Sequence, residues 1–321
     1  MWIFWLGFLA FVFVMLALDL LVLNRRDHEI SVGEALKWTG IWIFLALLFD
    51  VFIYFAYENH WLGIGMHGGA SLSGFDAAVE YLTGYVLEKS LSLDNIFVMA
   101  AIFSYFGIPR KYQHRVLFWG ILGALVLRGV FIVGGAALIS KFHFLMYLFG
   151  AFLVFTAVKM HLTKEDDNVD PSKNLALRIS KKIFPVTEER HGHDFFLVKE
   201  GKRFATPLFL ALIVIETSDV LFAVDSIPAV FGVTLDPFIV FTSNIMAILG
   251  LRSLYFALAA MLGMFRYLKT ALVVILAFVG IKMLAANVIE LPSWVSLVVV
   301  GVMVGLGILL SVFIPEKKPR D

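Results

Sequence analysis

Nine apolar runs, separated by charged or turn-forming residues, set the plan of this chain: roughly 3 to 23, 37 to 57, 79 to 103, 115 to 138, 143 to 162, 205 to 231, 237 to 262, 268 to 288 and 293 to 314. A helix needs about 20 apolar residues to cross a hydrocarbon core, so each run predicts one transmembrane helix. Two runs break the apolar pattern in the same way. The third carries Glu88 and Asp94 and the sixth Asp219 and Asp225, six residues apart each time.

The likeness extends along the chain. Ala124-Leu125-Val126-Leu127-Arg128 is answered by Ala247-Ile248-Leu249-Gly250-Leu251-Arg252, and Phe155-Thr156-Ala157-Val158-Lys159-Met160 by Phe278-Val279-Gly280-Ile281-Lys282-Met283. Acid, then arginine, then Lys-Met, in one order in three successive runs, reads as an internal duplication of three helices. Lysine and arginine fall in alternate connections: Arg25, Arg26 and Lys37; Arg110, Lys111 and Arg115; the segment 163 to 204; Arg266 and Lys269; and the tail from Lys317 to Arg320. The positive-inside rule makes those connections cytoplasmic, with the N-terminus outside and the C-terminus inside. With nine spans the third then enters from outside and the sixth from inside, so the two repeats have opposite topology, a frequent transporter construction.

The expected organisation is an all-α polytopic membrane protein in five parts: 1–78, two helices and an outer loop; 79–162, the first repeat; 163–204, a cytoplasmic loop; 205–288, the second repeat; and 289–321, the last helix and tail. Composition agrees, since 60% of the 321 residues are hydrophobic, 16% are charged and mean hydropathy is +0.90. A net charge of +1 gives no argument for nucleic acid. The chain has no cysteine, which excludes disulfides, thiolate metal sites and cysteine nucleophiles. The start is apolar without a basic n-region, so no cleavable signal peptide is expected. In the loop, Phe195 to Phe204 reads as a small hairpin with Gly201 in its turn, and His191 and His193 beside Glu188 and Glu189 read as solvated side chains ahead of the alternative, a regulatory metal contact.

Carboxylates near the bilayer centre cost about 2.5 to 3.5 kcal/mol each. Glu88, Asp94, Glu216, Asp219 and Asp225 are therefore expected to be paired, protonated or metal-bound. Arg128, Arg252, Lys159 and Lys282 are the available charge partners. Residues six apart lie about 9 Å apart along a helix and about 120° around it, so one straight helix cannot bring both its acids to one ion. The site must be shared between repeats, or its helices broken, and Pro228 predicts a break in the sixth span because it cannot donate to the Val224 carbonyl. Asn95, Ser90, Ser218, Ser226 and Asn244 could add oxygens, and Asp19 could line the cytoplasmic vestibule; Asp50 reads as interfacial. Oxygen ligands suit Mn²⁺, Mg²⁺ or Ca²⁺. A thioether from Met99 or Met246 would favour Mn²⁺, whereas His114, His143 and His161 fall near helix ends and offer no soft-metal pathway.

Glu88 to Phe97, Ala205 to Leu208, Glu216 to Asp219, Phe222 to Ala229, Thr242 to Asn244 and Ala247 to Arg252 together resemble the hallmark segments of the TerC family, close to its Alx-type members. The resemblance covers nearly the whole chain. It implies a bacterial inner-membrane protein related to the LysE-type exporters, associated with Mn²⁺ efflux, metal homeostasis and, by name, tellurium resistance. It carries the family's intramembrane acids onto Glu88, Asp94, Glu216, Asp219 and Asp225. The leading expectation is a divalent cation exporter, with protons as a candidate counter-ion and without prosthetic group or enzymatic activity. An oligomer or partner protein is compatible with it. The rival is an accessory membrane protein that delivers metal to exported enzymes or scaffolds a stress-resistance complex. An aspartyl protease on Asp94 and Asp225 lacks the Gly-x-Gly-Asp segment, and a tellurite carrier would want basic residues where these acids stand.

Overall fold

In a computed structural model, residues 2–18, 30–67, 70–162, 174–187, 194–199, 201–259, 266–289 and 291–314 are described. Eleven α-helices, a 3-10 turn at Trp61–Gly63 and two short hairpins are the regular elements of the described chain. The helices are α1 (Trp2–Leu18), α2 (Val32–Glu58), α3 (Gly74–Tyr105), α4 (Arg110–Lys141), α5 (Phe144–Leu162), α6 (Leu175–Ile183), α7 (Pro207–Phe231), α8 (Pro237–Leu249), α9 (Leu251–Leu258), α10 (Arg266–Leu284) and α11 (Ser293–Phe313). Six of these are long and apolar enough to cross a membrane, or seven when α8 and α9 count as one bent span. Large apolar side chains such as Phe44, Val126, Phe155 and Leu309 face outward. Such a surface suits lipid and not water, and the protein is a multi-pass, all-α membrane protein.

Two further helices fall short of that test for different reasons. α1 has 17 residues, and α3, at 32 residues, carries Asp76, Glu80, Glu88, Lys89 and Asp94. At 1.5 Å per residue α3 is about 48 Å long, well beyond a hydrocarbon core of about 30 Å. Its polar residues are covered by protein instead, because α3 packs on α2, α7, α8 and α11.

Local chemistry sets the helix starts. Ser31 accepts from the Glu34 N–H at α2, Ser73 from the Asp76 N–H at α3, and Asp236 from the Phe238 and Ile239 N–H groups at α8, ahead of Pro237. Each satisfies backbone donors that a helix leaves unpaired. The loop hairpin forms where the alternating pattern puts it, with Phe196–Lys199 antiparallel to Lys202–Ala205 and Gly201 in the turn. The loop's amphipathic α6 buries Leu177 and packs on α7. A second, two-residue hairpin pairs Met66–His67 with Ala70–Ser71.

One expectation is corrected. α7 runs as one helix through Pro228, and the break lies instead between α8 and α9, which meet at Gly250 with a bend of 42°. Pro228 stands only three residues from the end of α7, where a lost hydrogen bond costs little continuity. A side chain meets the bend at Gly250: Lys89 reaches from α3 and donates to the Ala247 carbonyl at 3.0 Å. A Cβ on Gly250 would stand 2.8 Å from that Nζ and 3.0 Å from Trp42 Cβ. Replacing Lys89 by methionine leaves the bent carbonyl without its cation, and we expect the unfolding free energy in detergent to fall by about 1 to 3 kcal/mol. An unchanged midpoint would remove Lys89 as the support of the bend.

Candidate functional site

The expected acids divide into two neighbouring groups. Arg128 of α4 forms the centre of the first, with only 1% of its surface exposed. Its Nη1 pairs closely with Glu88 Oε1 and also donates to Asn244 Oδ1 (3.2 Å) and Ser226 Oγ (3.4 Å). Its Nη2 donates to Asp219 Oδ1 at 3.2 Å. One guanidinium thus ties together α3, α4, α7 and α8, using the planar fork that lysine lacks.

This buried group is not charge-balanced by Arg128 alone. Glu88 and Asp219 bring two carboxylates to one cation, and Glu88 Oε2 and Asp219 Oδ2 are buried without a hydrogen-bond partner. Glu216, half-buried one turn before Asp219, lies against α4 at Gly123, where a Cβ would collide with its carboxylate. The glycine makes room for the acid.

The second group is open. Glu88, Leu91, Asp94 and Asn95 of α3, Thr156, Lys159 and Met160 of α5, Phe222, Asp225 and Ser226 of α7, and Lys269 and Leu276 of α10 enclose a cavity of about 310 Å³. Steps of three or four residues put 88, 91 and 95 on one stripe of α3, which explains how Glu88 reaches both groups. Thr156 Oγ1 donates to Asp225 Oδ1 at 3.2 Å. Lys269 stands near Asp94 and Lys159 near Asp225. Lys159 is in the last turn of α5 and Lys269 in the first turn of α10, so the cavity reaches the end of the bundle where α5 stops and α10 begins.

The remaining expected residues fall as follows. Asn95, Ser226 and Asn244 belong to these two groups. Ser218 donates to Val214 O (2.8 Å) and Ser90 to Val86 O (2.6 Å), each turned back on its own helix. Met99 and Met246 pack in the hydrophobic core. Arg252 lies away from the acids, beside Glu34, Trp38 and Trp42 of α2. Lys282 donates to Ser296 Oγ at the far end of α10. Asp50 is half-buried in α2, and His114, His143 and His161 are absent from the cavity lining. Asp19, the acidic run from Glu165, Glu188, Glu189, His191 and His193 lie outside the described residues. Among the described residues, no three acids or histidines come together closely enough to hold a metal ion. Thr156 and Lys269 line the cavity without having been singled out from the sequence as parts of the site, although both stand in segments that mark the likeness and the topology.

Comparison with known proteins agrees with the resemblance read from the motifs. The family described as "Integral membrane protein TerC family" matches residues 73–319. A Myxococcus xanthus protein described as "Uncharacterized membrane protein STKORF319" is 45% identical over 99% of this chain and 94% of its own. The Escherichia coli K12 protein named "Putative membrane-bound redox modulator Alx" is 46% identical over 97% of this chain and 92% of its own. No solved structure matches the chain.

Proposed function

Because this chain belongs to the TerC family of integral membrane proteins, we propose that it carries a divalent cation, Mn²⁺ in the first place, out of the cytoplasm of a bacterial cell. The observation that carries the reading is the cavity itself: Asp94 from one repeat and Asp225 from the other line one space among membrane-spanning helices. Carboxylates with amide and hydroxyl oxygens at hand (Asn95, Thr156, Ser226) form a ligand set for a hard or borderline cation. The Glu88–Arg128–Asp219 group is then the fixed wall behind the cavity, and its arginine holds two acids that would otherwise compete for the ion.

Alternating access between inverted repeats supplies the mechanism. Counting α1, α3 and the bent α8–α9 pair as spans gives nine. Exchanging α3, α4 and α5 for α7, α8–α9 and α10 turns the α3–α8 contact into the α4–α7 contact, and both exist. Glycine contacts run Gly150 with Leu284 and Val154 with Gly280, so α5 and α10 are antiparallel, as inverted repeats require. The charge distribution puts the N-terminus outside and the end of α5 on the cytoplasmic side, which makes this an inward-open cavity ready to load. Lys159 and Lys269 stand at its mouth on flexible stems and can yield their acids to a divalent ion.

Redox modulation, the role in the name of the E. coli relative, cannot run through thiols of this chain, which has none. An accessory role, delivering metal to exported enzymes, makes a different prediction for the isolated protein. Purified protein in liposomes, oriented so that the cavity mouth faces the medium, should take up Mn²⁺ without partners. Asp94→Asn and Asp225→Asn should each lower that uptake at least about tenfold, since loss of one charged contact is worth about 1.5 to 3 kcal/mol. Undiminished uptake in both variants removes the cavity from the pathway, and no uptake by the native protein favours the accessory role.

A further inference from the structure

A second polar assembly lies at the end of α3 and α10 away from the cavity mouth. Glu80, in the second turn of α3, accepts from Ser293 Oγ at 3.0 Å, and Lys282, in the last turn of α10, donates to Ser296 Oγ at 3.0 Å. Ser293 and Ser296 are three residues apart and share one face of α11. Thr234 and Asp236, between α7 and α8, lie close to the same Glu80 carboxylate, as does Lys282. Tyr57, fully buried at the end of α2, faces Asp236 and Glu80. Five parts of the chain converge there.

Position along the helices gives this assembly its meaning. Glu80 is 14 residues from Asp94 on α3, and Lys282 is 13 from Lys269 on α10, or about 20 Å in each case. The two helices that carry its charges are thus two of the four that line the cavity, met at their opposite ends. α11 belongs to neither repeat, yet its two serines tie the first helix of one repeat to the last helix of the other. The bonds are of a kind that a cycle can break, because each joins one charged group to one hydroxyl and water can replace the hydroxyl.

We propose that Glu80, Lys282 and the Ser293/Ser296 pair of α11 form a latch that shuts the pathway at the end opposite the cavity mouth and parts when the cavity empties there. This rests on the transport reading for its purpose, but its test does not need transport. The chain's lack of cysteine makes a single introduced thiol a clean reporter. Leu91→Cys places that thiol in the cavity wall. A membrane-impermeant maleimide should modify it readily from the mouth side and slowly from the far side, in vesicles of the two orientations. Adding Ser293→Ala and Ser296→Ala should raise the far-side rate about tenfold, the effect of losing two modest hydrogen bonds. Lys282→Met, which keeps the apolar stem, should act in the same direction. A far-side rate unchanged in both latch variants, while the mouth-side reaction persists and so reports a folded cavity, overturns the latch. Far-side opening by the serine variants, combined with no Mn²⁺ uptake in liposomes, would keep the latch and overturn the export reading instead.

Discussion

Arg128→Met should leave little folded protein in the membrane. The guanidinium is 1% exposed and answers Glu88, Asp219, Asn244 and Ser226 at once. Its removal strands two buried carboxylates that already have one oxygen each without a partner. Breaking a buried ion pair from one side costs about 3 to 5 kcal/mol. Net stabilities of about 5 to 15 kcal/mol leave little margin for that. Arg128→Lys should recover only part of the loss, because an ammonium cannot fork toward two helices. Adding Glu88→Gln and Asp219→Asn to Arg128→Met should recover more, by removing the charges that were stranded. The measurement is the monodisperse yield and unfolding midpoint in detergent. A single methionine variant as stable as the native chain would mean that the arginine does not balance these acids.

The second large effect is expected at the contact between α5 and α10. A Cβ on Gly280 would stand 2.8 Å from the Gly150 carbonyl oxygen, 2.9 Å from Val154 Cγ2 and 3.0 Å from Val154 N. Two of those neighbours are backbone atoms, which cannot rotate away. Gly280→Val must therefore push the helices apart, at a cost of about 1 to 3 kcal/mol for overpacking. The same two helices supply Thr156, Lys159, Lys269 and Leu276 to the cavity, so Mn²⁺ uptake should fall with the unfolding midpoint. Gly150→Ala, which meets Gly280 O at 2.9 Å and Met283 Cβ at 3.0 Å, should be milder. A valine at 280 that changes neither stability nor uptake would show that this approach is not needed.

Parts of the site could be read from spacing, and parts could not. Asp94 and Asp225 stand at matching places in the two like segments of sequence, and both line the cavity. Glu88 and Asp219 stand at matching places too, yet both turn to a single arginine, Arg128 of α4. Its counterpart Arg252 faces α2 instead. Repeat symmetry in a sequence says which positions correspond, but one guanidinium can serve both copies of a position, and then its twin is released to other packing. The bend illustrates the same limit. Proline is the residue that announces a broken helix, yet the chain bends at Gly250, under a lysine contributed by a helix some 160 residues earlier in sequence.

By itself the sequence determined the membrane class, the identity of the acids within the bundle and their spacing of six residues, because lipid rejects charge so strongly that any carboxylate in an apolar run declares itself. The loop hairpin was equally legible, since a turn depends on neighbours within a few residues. Only the tertiary structure decided which acids gather on Arg128 and which line the open cavity, and that α11 meets Glu80 and Lys282 at the other end of α3 and α10. Those outcomes depend on the direction in which long side chains leave helices that are remote in sequence, and no local pattern encodes that direction.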